Sequence, residues 1–377
     1  MSVRRRLRAA VVAACGLGLA GCGLGYAAPA AAQRPDPDPP PRLYVANQDA
    51  ATVSVIDLAT HATAATVDLR TLGFAANARP HHTQVEPDGG FWYVTLIGAG
   101  RVLKLDRDNR VVASATMEVP GLMALHPTED LLIVGRSMSA VNPPSRLVVL
   151  KRSDMSVVDE IDVFFPRPHA LVWDTRGEQV FVASLGVNQI ASVGVASGEF
   201  RLVDVPGAPH SFTQAAVSPD GRWMVLTAQL TSQLAVFDVT DPAKPALREM
   251  IALEKGPFEP AFTPDGLWVY VTSLDANRIS VVDAQKWTVA ETVAHPALAQ
   301  PHGIAVSPDG RVVYVSNRHQ SGGAHDHEGG KATGQGTVVA ICAATRTVIA
   351  VVPVGAYAAG ISVPVPARRP GSPPGPC

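Results

Sequence analysis

A motif that recurs six times along the chain predicts an all-β fold, a seven-bladed β-propeller. Each copy reads Pro-His or a close variant, an apolar strand, a turn of Pro-Asp-Gly type, and a strand of Tyr-Val type. A third strand follows, often ending in Asp. The copies begin at Pro80, Pro120, Pro168, Pro209, Pro257 and Pro301, at gaps of 40, 48, 41, 48 and 44 residues. That interval suits one blade of four short strands. Two further observations agree. Val, Ile, Leu and Tyr gather in short runs bounded by Gly, Pro, Asp and Asn, and no stretch carries a long helical period.

The seventh blade is divided between the two ends of the ring. Leu43–Asn47 and Val53–Asp57 read as second and third strands with no first strand before them. Ala359–Val363 matches Gly303–Val306 and reads as a first strand with nothing after it. The C-terminal strand is therefore expected to complete blade one and close the ring, which hides the edges of a linear stack. Asp-Gly at 220–221, 265–266 and 309–310 suits tight hairpins that need a positive φ. The content is 47% hydrophobic and 6% aromatic, which predicts an aliphatic core between stacked blades. Blades three and four depart from the pattern. Lys151 and Gly194 stand where the other blades have Asp, and blade three lacks Pro-Asp-Gly.

Outside the ring, residues 1–33 read as a bacterial secretion signal: Arg4, Arg5, Arg6 and Arg8 precede an Ala-rich apolar run too short for a lasting membrane span. Two processing sites compete. Leu19-Ala20-Gly21-Cys22 resembles a lipobox, with lipidation of Cys22, and Ala30-Ala31-Ala32 resembles an ordinary cleavage site. Residues 34–41 form a Pro-rich linker, 42–365 the propeller, and 366–377 a Pro/Gly-rich tail expected to be disordered. The expected place is extracytoplasmic, in the periplasm or on the cell surface, with a lipid anchor as the only membrane contact. Formal net charge is −2, and no basic patch carries interleaved aromatics, so nucleic acid is not an expected partner. Cys342 and Cys377 fall on the same face of the ring. Two readings stand: a free thiol with an irrelevant tail, or a disulfide that an oxidising compartment permits.

One column of the repeat stands out. The position opening the innermost strand reads Ala359, His81, Gly121, His169, His210 (after a two-residue insertion), Phe258 and His302. Equivalent positions of innermost strands surround a propeller's channel, so four histidines are expected at one mouth. His82 and Glu259 lie next to the column. A Gly-rich insertion after blade seven's second strand adds His319, His325, Asp326, His327 and Glu328 on the same face. Imidazoles converging without cysteine suit copper, zinc or haem iron. The candidate ligands are His81, His169, His210, His302, His325 and His327. The alternative is a structural role, with each ring capping its strand. Arg79, Arg167 and Arg318 lie near the same mouth and could attract an anion or simply be solvated. There is no Gly-x-Ser-x-Gly elbow, phosphate loop or Cys-x-x-Cys-His. The Asp ending each third strand reads as a turn device.

Tyr44-Val-Ala-Asn47, Tyr270-Val-Thr-Ser273 and Tyr314-Val-Ser-Asn317, each followed by a strand of the Val-x-Val-Ile/Val-Asp kind or close to it, resemble the YVTN family of bacterial β-propellers. The resemblance covers essentially the whole ring. The group is similar to the d1 haem domain of cytochrome cd1 nitrite reductase, to the propellers of quinoprotein amine dehydrogenases and to lactonase-like propellers. It implies seven blades and an extracytoplasmic place, and does not name a reaction. The leading expectation is an exported, lipid-anchored, monomeric binding or scaffold module for a small ligand or an envelope protein. Its working face would be the histidine mouth, pointing away from the membrane. The second is an enzyme: a metal- or haem-dependent oxidoreductase, or a lactonase-type hydrolase with Glu259 as base.

Overall fold

The computed structural model describes residues 41–137, 145–319, 334–365 and 377. The chain divides into two units, 1–35 and 36–377. The first unit lies outside the described residues, and with it Cys22 and both processing sites. The second is a ring of seven antiparallel four-stranded sheets. The innermost strands of blades two to seven are Pro80–Val85, Pro120–Leu125, Pro168–Trp173, Phe212–Val217, Pro257–Phe262 and Pro301–Val306. Blade one is built from Ala358–Ser362, Arg42–Asn47, Thr52–Asp57 and Ala62–Asp68, in that order outward. The C-terminal strand pairs Tyr44↔Ser362 and Asn47↔Ala358, so the two ends of the ring close one blade as the sequence predicts. The only helical turns among the described residues are short 3-10 segments, Leu69–Leu72 and Ile97–Ala99.

Burial follows from the stacking. Second and third strands such as Phe91–Leu96 and Thr52–Asp57 are sandwiched between neighbouring blades, so side chains on both faces are buried, Ser54 and Thr95 among them. Outermost strands such as Val157–Asp162 face solvent and carry charge. The hairpin glycines Gly221, Gly266 and Gly310 have φ of 73°, 74° and 74°, a region open to Gly at no steric cost. The repeat Asp is a turn device: Asp57 Oδ1 accepts the N–H groups of Ala59 and Thr60, and Asp283 Oδ1 those of Gln285 and Lys286. In blade three, His126 stands in the turn between first and second strands where blades five and seven have Ser218 and Ser307. Its Nδ1 accepts from the N–H of Thr128 and Glu129, and its ring stacks edge-on against Trp173.

A repeated hydroxyl ties blades five, six and seven each to the next at the mouth end. Thr272 Oγ1 accepts the Glu259 N–H at 2.9 Å and donates across the seam to the His302 carbonyl at 2.9 Å. Thr227 does the same between Gln214 and Phe258, and Ser316 between Gly303 and Ala359. The Ser316 bond reaches the C-terminal strand and so fastens the closure. Ser362 then donates to Thr83 Oγ1 of blade two, 2.8 Å away. The Thr272 and Ser316 bonds satisfy the His302 and Ala359 carbonyls where strand pairing is interrupted. On the opposite face, Cys377 is joined to Cys342 in a disulfide, which decides between the two readings of that pair.

Candidate functional site

The mouth is built by a backbone device that repeats seven times. Immediately before each innermost strand stands one residue with positive φ: Arg79, Val119, Arg167, Ser211, Gly256, Gln300 and Tyr357. Six of these are not glycine, so the connection from the preceding blade imposes a conformation that costs each of them free energy. This turn delivers the second residue of each strand to equivalent places: His81, Gly121, His169, Thr213, Phe258, His302 and Ala359.

Blade five therefore departs from the sequence reading. The strand starts at Phe212, opposite Ala228, as Pro80 lies opposite Leu96. Thr213, not His210, occupies the column. His210 lies before the turn residue Ser211, and both ring nitrogens are used: Nε2 donates to the Pro206 carbonyl at 3.0 Å and Nδ1 accepts from Thr231 Oγ1 at 2.8 Å. No lone pair remains for a metal, so His210 is a loop-fastening residue.

The other column histidines are 7% (His81), 3% (His169) and 3% (His302) exposed. His81 and His302 meet edge to face, with ring centroids 6.4 Å apart, and His302 also stacks on Phe258 at 4.1 Å. His81 Nδ1 pairs with Gln48 Oε1 at 3.0 Å. Among the described residues, no three His, Cys, Asp or Glu side chains approach closely enough to hold a metal ion. The four histidines thus share a face without forming one ligand set. His325 and His327 lie outside the described residues. His319 lies inside them, and its Nε2 bonds Thr337 Oγ1 at the base of that insertion.

The most informative pair is His82 and His169. His82 Nδ1 accepts the N–H of Met123 at 3.2 Å, and His169 Nδ1 donates to the Thr213 carbonyl at 2.6 Å. Burial pushes both rings down to about 4; repulsion between the two rings when charged adds to this at His82, while at His169 the hydrogen bond to the Thr213 carbonyl opposes burial and Arg167 reinforces it. Both are neutral at pH 7. The tautomers follow. His82 carries its proton on Nε2, because Nδ1 is an acceptor. His169 carries it on Nδ1 and leaves the Nε2 lone pair.

Glu259 follows Phe258 toward the same interior. Burial pushes its carboxyl up to about 8, opposed in part by the N–H of Ile304. The residue as a whole keeps some accessible surface, but Oε2 has none and makes no hydrogen bond. The acid is thus mostly protonated at pH 7. Gln214 is the blade-five counterpart of Glu259 in register. Of the three arginines read from the sequence, Arg167 is exposed, Arg79 half-buried and Arg318 only 1% exposed. The neutral state of the imidazoles and the burial of Arg318 have no signal in the sequence.

No protein-family model matches this chain. It is similar to the uncharacterised protein YncE of Salmonella typhimurium, at 23% identity over 226 residues, 57% of this chain and 61% of that protein. YncE of Salmonella typhi is 22% identical over the same extent. The match spans less than two thirds of these relatives' own length. Among solved structures, a functionally unknown protein from Desulfotomaculum acetoxidans superposes with a TM-score of 0.68 at 14% identity. That covers 86% of this chain and 99% of the other. The dihydro-haem d1 dehydrogenase NirN, in complex with DHE, gives 0.57 at 16% identity, covering 87% and 76%. Kuenenia stuttgartiensis hydrazine synthase gives 0.60 at 18%, covering 75% and 94%. At these identities the likeness is one of fold.

Proposed function

We propose that this chain is an exported β-propeller that binds a small, polar, uncharged ligand at the mouth where its innermost strands begin. The observation that carries the reading is the pair of backbone hydrogen bonds that sets opposite tautomers in His82 and His169. One presents an Nε2–H donor, the other an Nε2 acceptor, and the backbone holds each in that state. Protonated Glu259 and the Gln214 amide add donors and acceptors without adding charge. Preset neutral polar groups on a buried wall give orientation and specificity, and they favour an amide, ester or polyol over an ion.

The attachment proposed with it is lipid on Cys22, reached through the Pro-rich residues 34–41. The propeller is entered at Arg42, at the end of its strand opposite Asn47, which pairs with the mouth end of Ala358–Ser362. A tether there leaves the mouth facing away from the membrane.

Ligand-observed NMR on the mature domain, with a library of neutral amides, lactones and polyols, tests the binding claim. Hits should compete with one another and vanish in His82→Ala and His169→Ala variants that keep the wild-type circular dichroism. Hits unaffected by both variants, or binding confined to charged compounds, would overturn it.

A second reading rests on one atom. The Nε2 lone pair of His169 is the right donor for copper, zinc or haem iron, and NirN, with a similar fold, was solved in complex with DHE. A visible band or near-stoichiometric metal in the purified protein, lost in His169→Ala, would favour an oxidoreductase. Turnover of a lactone, lost in Glu259→Gln, would favour a hydrolase instead.

A further inference from the structure

At the mouth, the third residue of an innermost strand meets the fourth residue of the next blade. His82, third in Pro80–Val85, accepts the N–H of Met123, fourth in Pro120–Leu125. Glu259, third in Pro257–Phe262, is acted on by the N–H of Ile304, fourth in Pro301–Val306. The remaining polar side chain at this position is Gln214, third in Phe212–Val217. The other blades have Leu122, Ala170, Gly303 and Gly360 there, which need no partner.

Gln214 meets a different neighbour. The fourth residue of the next blade is Pro260, which has no N–H to give. Gln214 is only 6% exposed, and Thr227 engages both its backbone N–H and its backbone carbonyl. Its side-chain amide bonds no described residue, and neither polar atom of that amide is sealed from solvent. Buried polar groups are paired as a rule, so an amide left open in a binding wall marks where a ligand bonds.

The wall thus holds two acceptors that a ligand must meet with donors of its own: Gln214 Oε1 and His169 Nε2. An ester or lactone has no donor. A polyol donates, but its hydroxyls are not held in one plane. An amide carries N–H beside C=O in a plane, and this edge matches the edge of a glutamine amide bond for bond.

We infer that Gln214 selects the ligand of the mouth, that Pro260 frees it to do so, and that the ligand offers an amide edge, as a lactam, primary amide or urea does. This deepens the neutral-ligand reading of the mouth and rests on it. Pro260 is a positioning residue that acts through Gln214.

The test compares δ-valerolactam, δ-valerolactone and glycerol on the full chain. Lactam and lactone differ only in a ring N–H against a ring oxygen. Binding is followed by 1H–15N NMR of the Gln214 side-chain amide, identified by its loss in Gln214→Met, and of the His82 and His169 rings. The lactam should shift the Gln214 signal saturably and bind about tenfold more tightly than the lactone, which leaves Oε1 unpaired. Glycerol should bind more weakly than the lactam. In Gln214→Met the lactam-to-lactone ratio should fall to near one. Pro260→Ala restores an N–H for Oε1 to accept, so the ratio should fall by about threefold or more while the His82 tautomer stays the same. The restored N–H should be protected from hydrogen exchange, and the protection should vanish when Gln214→Met is added. Lactone or glycerol binding as tightly as lactam, a ratio unchanged in Gln214→Met, or an unprotected N–H in Pro260→Ala would overturn this inference and leave the mouth a binding site. No response of Gln214, His82 or His169 to any of these probes would overturn the neutral-ligand reading, and this inference with it.

Discussion

The Nδ1 of His82 accepts the N–H of Met123 across the seam between blades two and three, at 3.2 Å. That one bond fixes a tautomer and joins two blades, and it requires the ring to stay neutral: a proton on Nδ1 would abolish the acceptor and oppose the amide dipole. His169 is held neutral by burial. Both folded values lie near 4, below the ordinary 6.5, so the stability these rings contribute is complete above pH 6.5 and is lost as pH falls through 4. The linkage is ~3 kcal/mol for each ring. His82→Asn and His169→Asn variants should each shrink the loss of stability between pH 6.5 and pH 4, measured by urea unfolding. A wild-type midpoint that does not fall across that window would contradict it.

Glu259 acts in the opposite direction. Its folded value is near 8, above the ordinary 4.5, so its contribution is complete below pH 4.5 and is lost as pH rises through 8. Two histidines outweigh one carboxyl between pH 4.5 and 6.5, and the carboxyl acts alone above that. Stability should therefore peak near pH 6.5 and decline toward pH 8. In Glu259→Gln the decline should disappear, leaving equal urea midpoints at pH 6.5 and 8. A decline of the same size in the variant would assign it to another group.

The hydroxyl ties can be tested one at a time. Thr272→Val keeps the shape but strands the Glu259 N–H and the His302 carbonyl. We expect a loss of about 2–3 kcal/mol. Thr288→Val, at an exposed outer position, should change stability by less than about 0.5 kcal/mol. Equal effects from the two would mean that the seam bond contributes nothing of its own.

Cys342 and Cys377 are 35 residues apart in sequence, and a cross-link of that span limits the unfolded chain. By the loop-entropy relation it contributes up to about 4 kcal/mol. Protein made in an oxidising compartment should show no reactive thiol from this pair, and Cys377→Ser should lower the urea midpoint. Free thiols in the folded, unreduced protein would refute the pairing.

Much of the ring was legible in the sequence because its signals are local. A turn glycine, an Asp that caps a hairpin and a continuous apolar strand each act within a few residues. Blade closure could also be read, since Ala359–Val363 and Leu43–Asn47 are complementary fragments of one repeat. His210 misled for a physical reason. Pro209-His210 copies the motif, but the residue that sets the register is the left-handed turn position, held by Ser211, and the apolar Phe212 starts the strand. The character of the mouth was hidden for another. Whether His82 is charged, or Arg318 buried over Tyr357, depends on partners 39 or more residues away that only the closed ring brings together.

The most direct measurement is long-range 1H–15N NMR of the imidazoles at pH 7, with His82 and His169 assigned by substitution. We expect His82 as the Nε2–H tautomer and His169 as the Nδ1–H tautomer, both neutral down to about pH 5, with the two Nε2 shifts moving in opposite directions when a neutral ligand binds. A protonated ring at pH 6, or the same tautomer at both positions, would contradict the claim that this mouth presents one donor and one acceptor to a ligand.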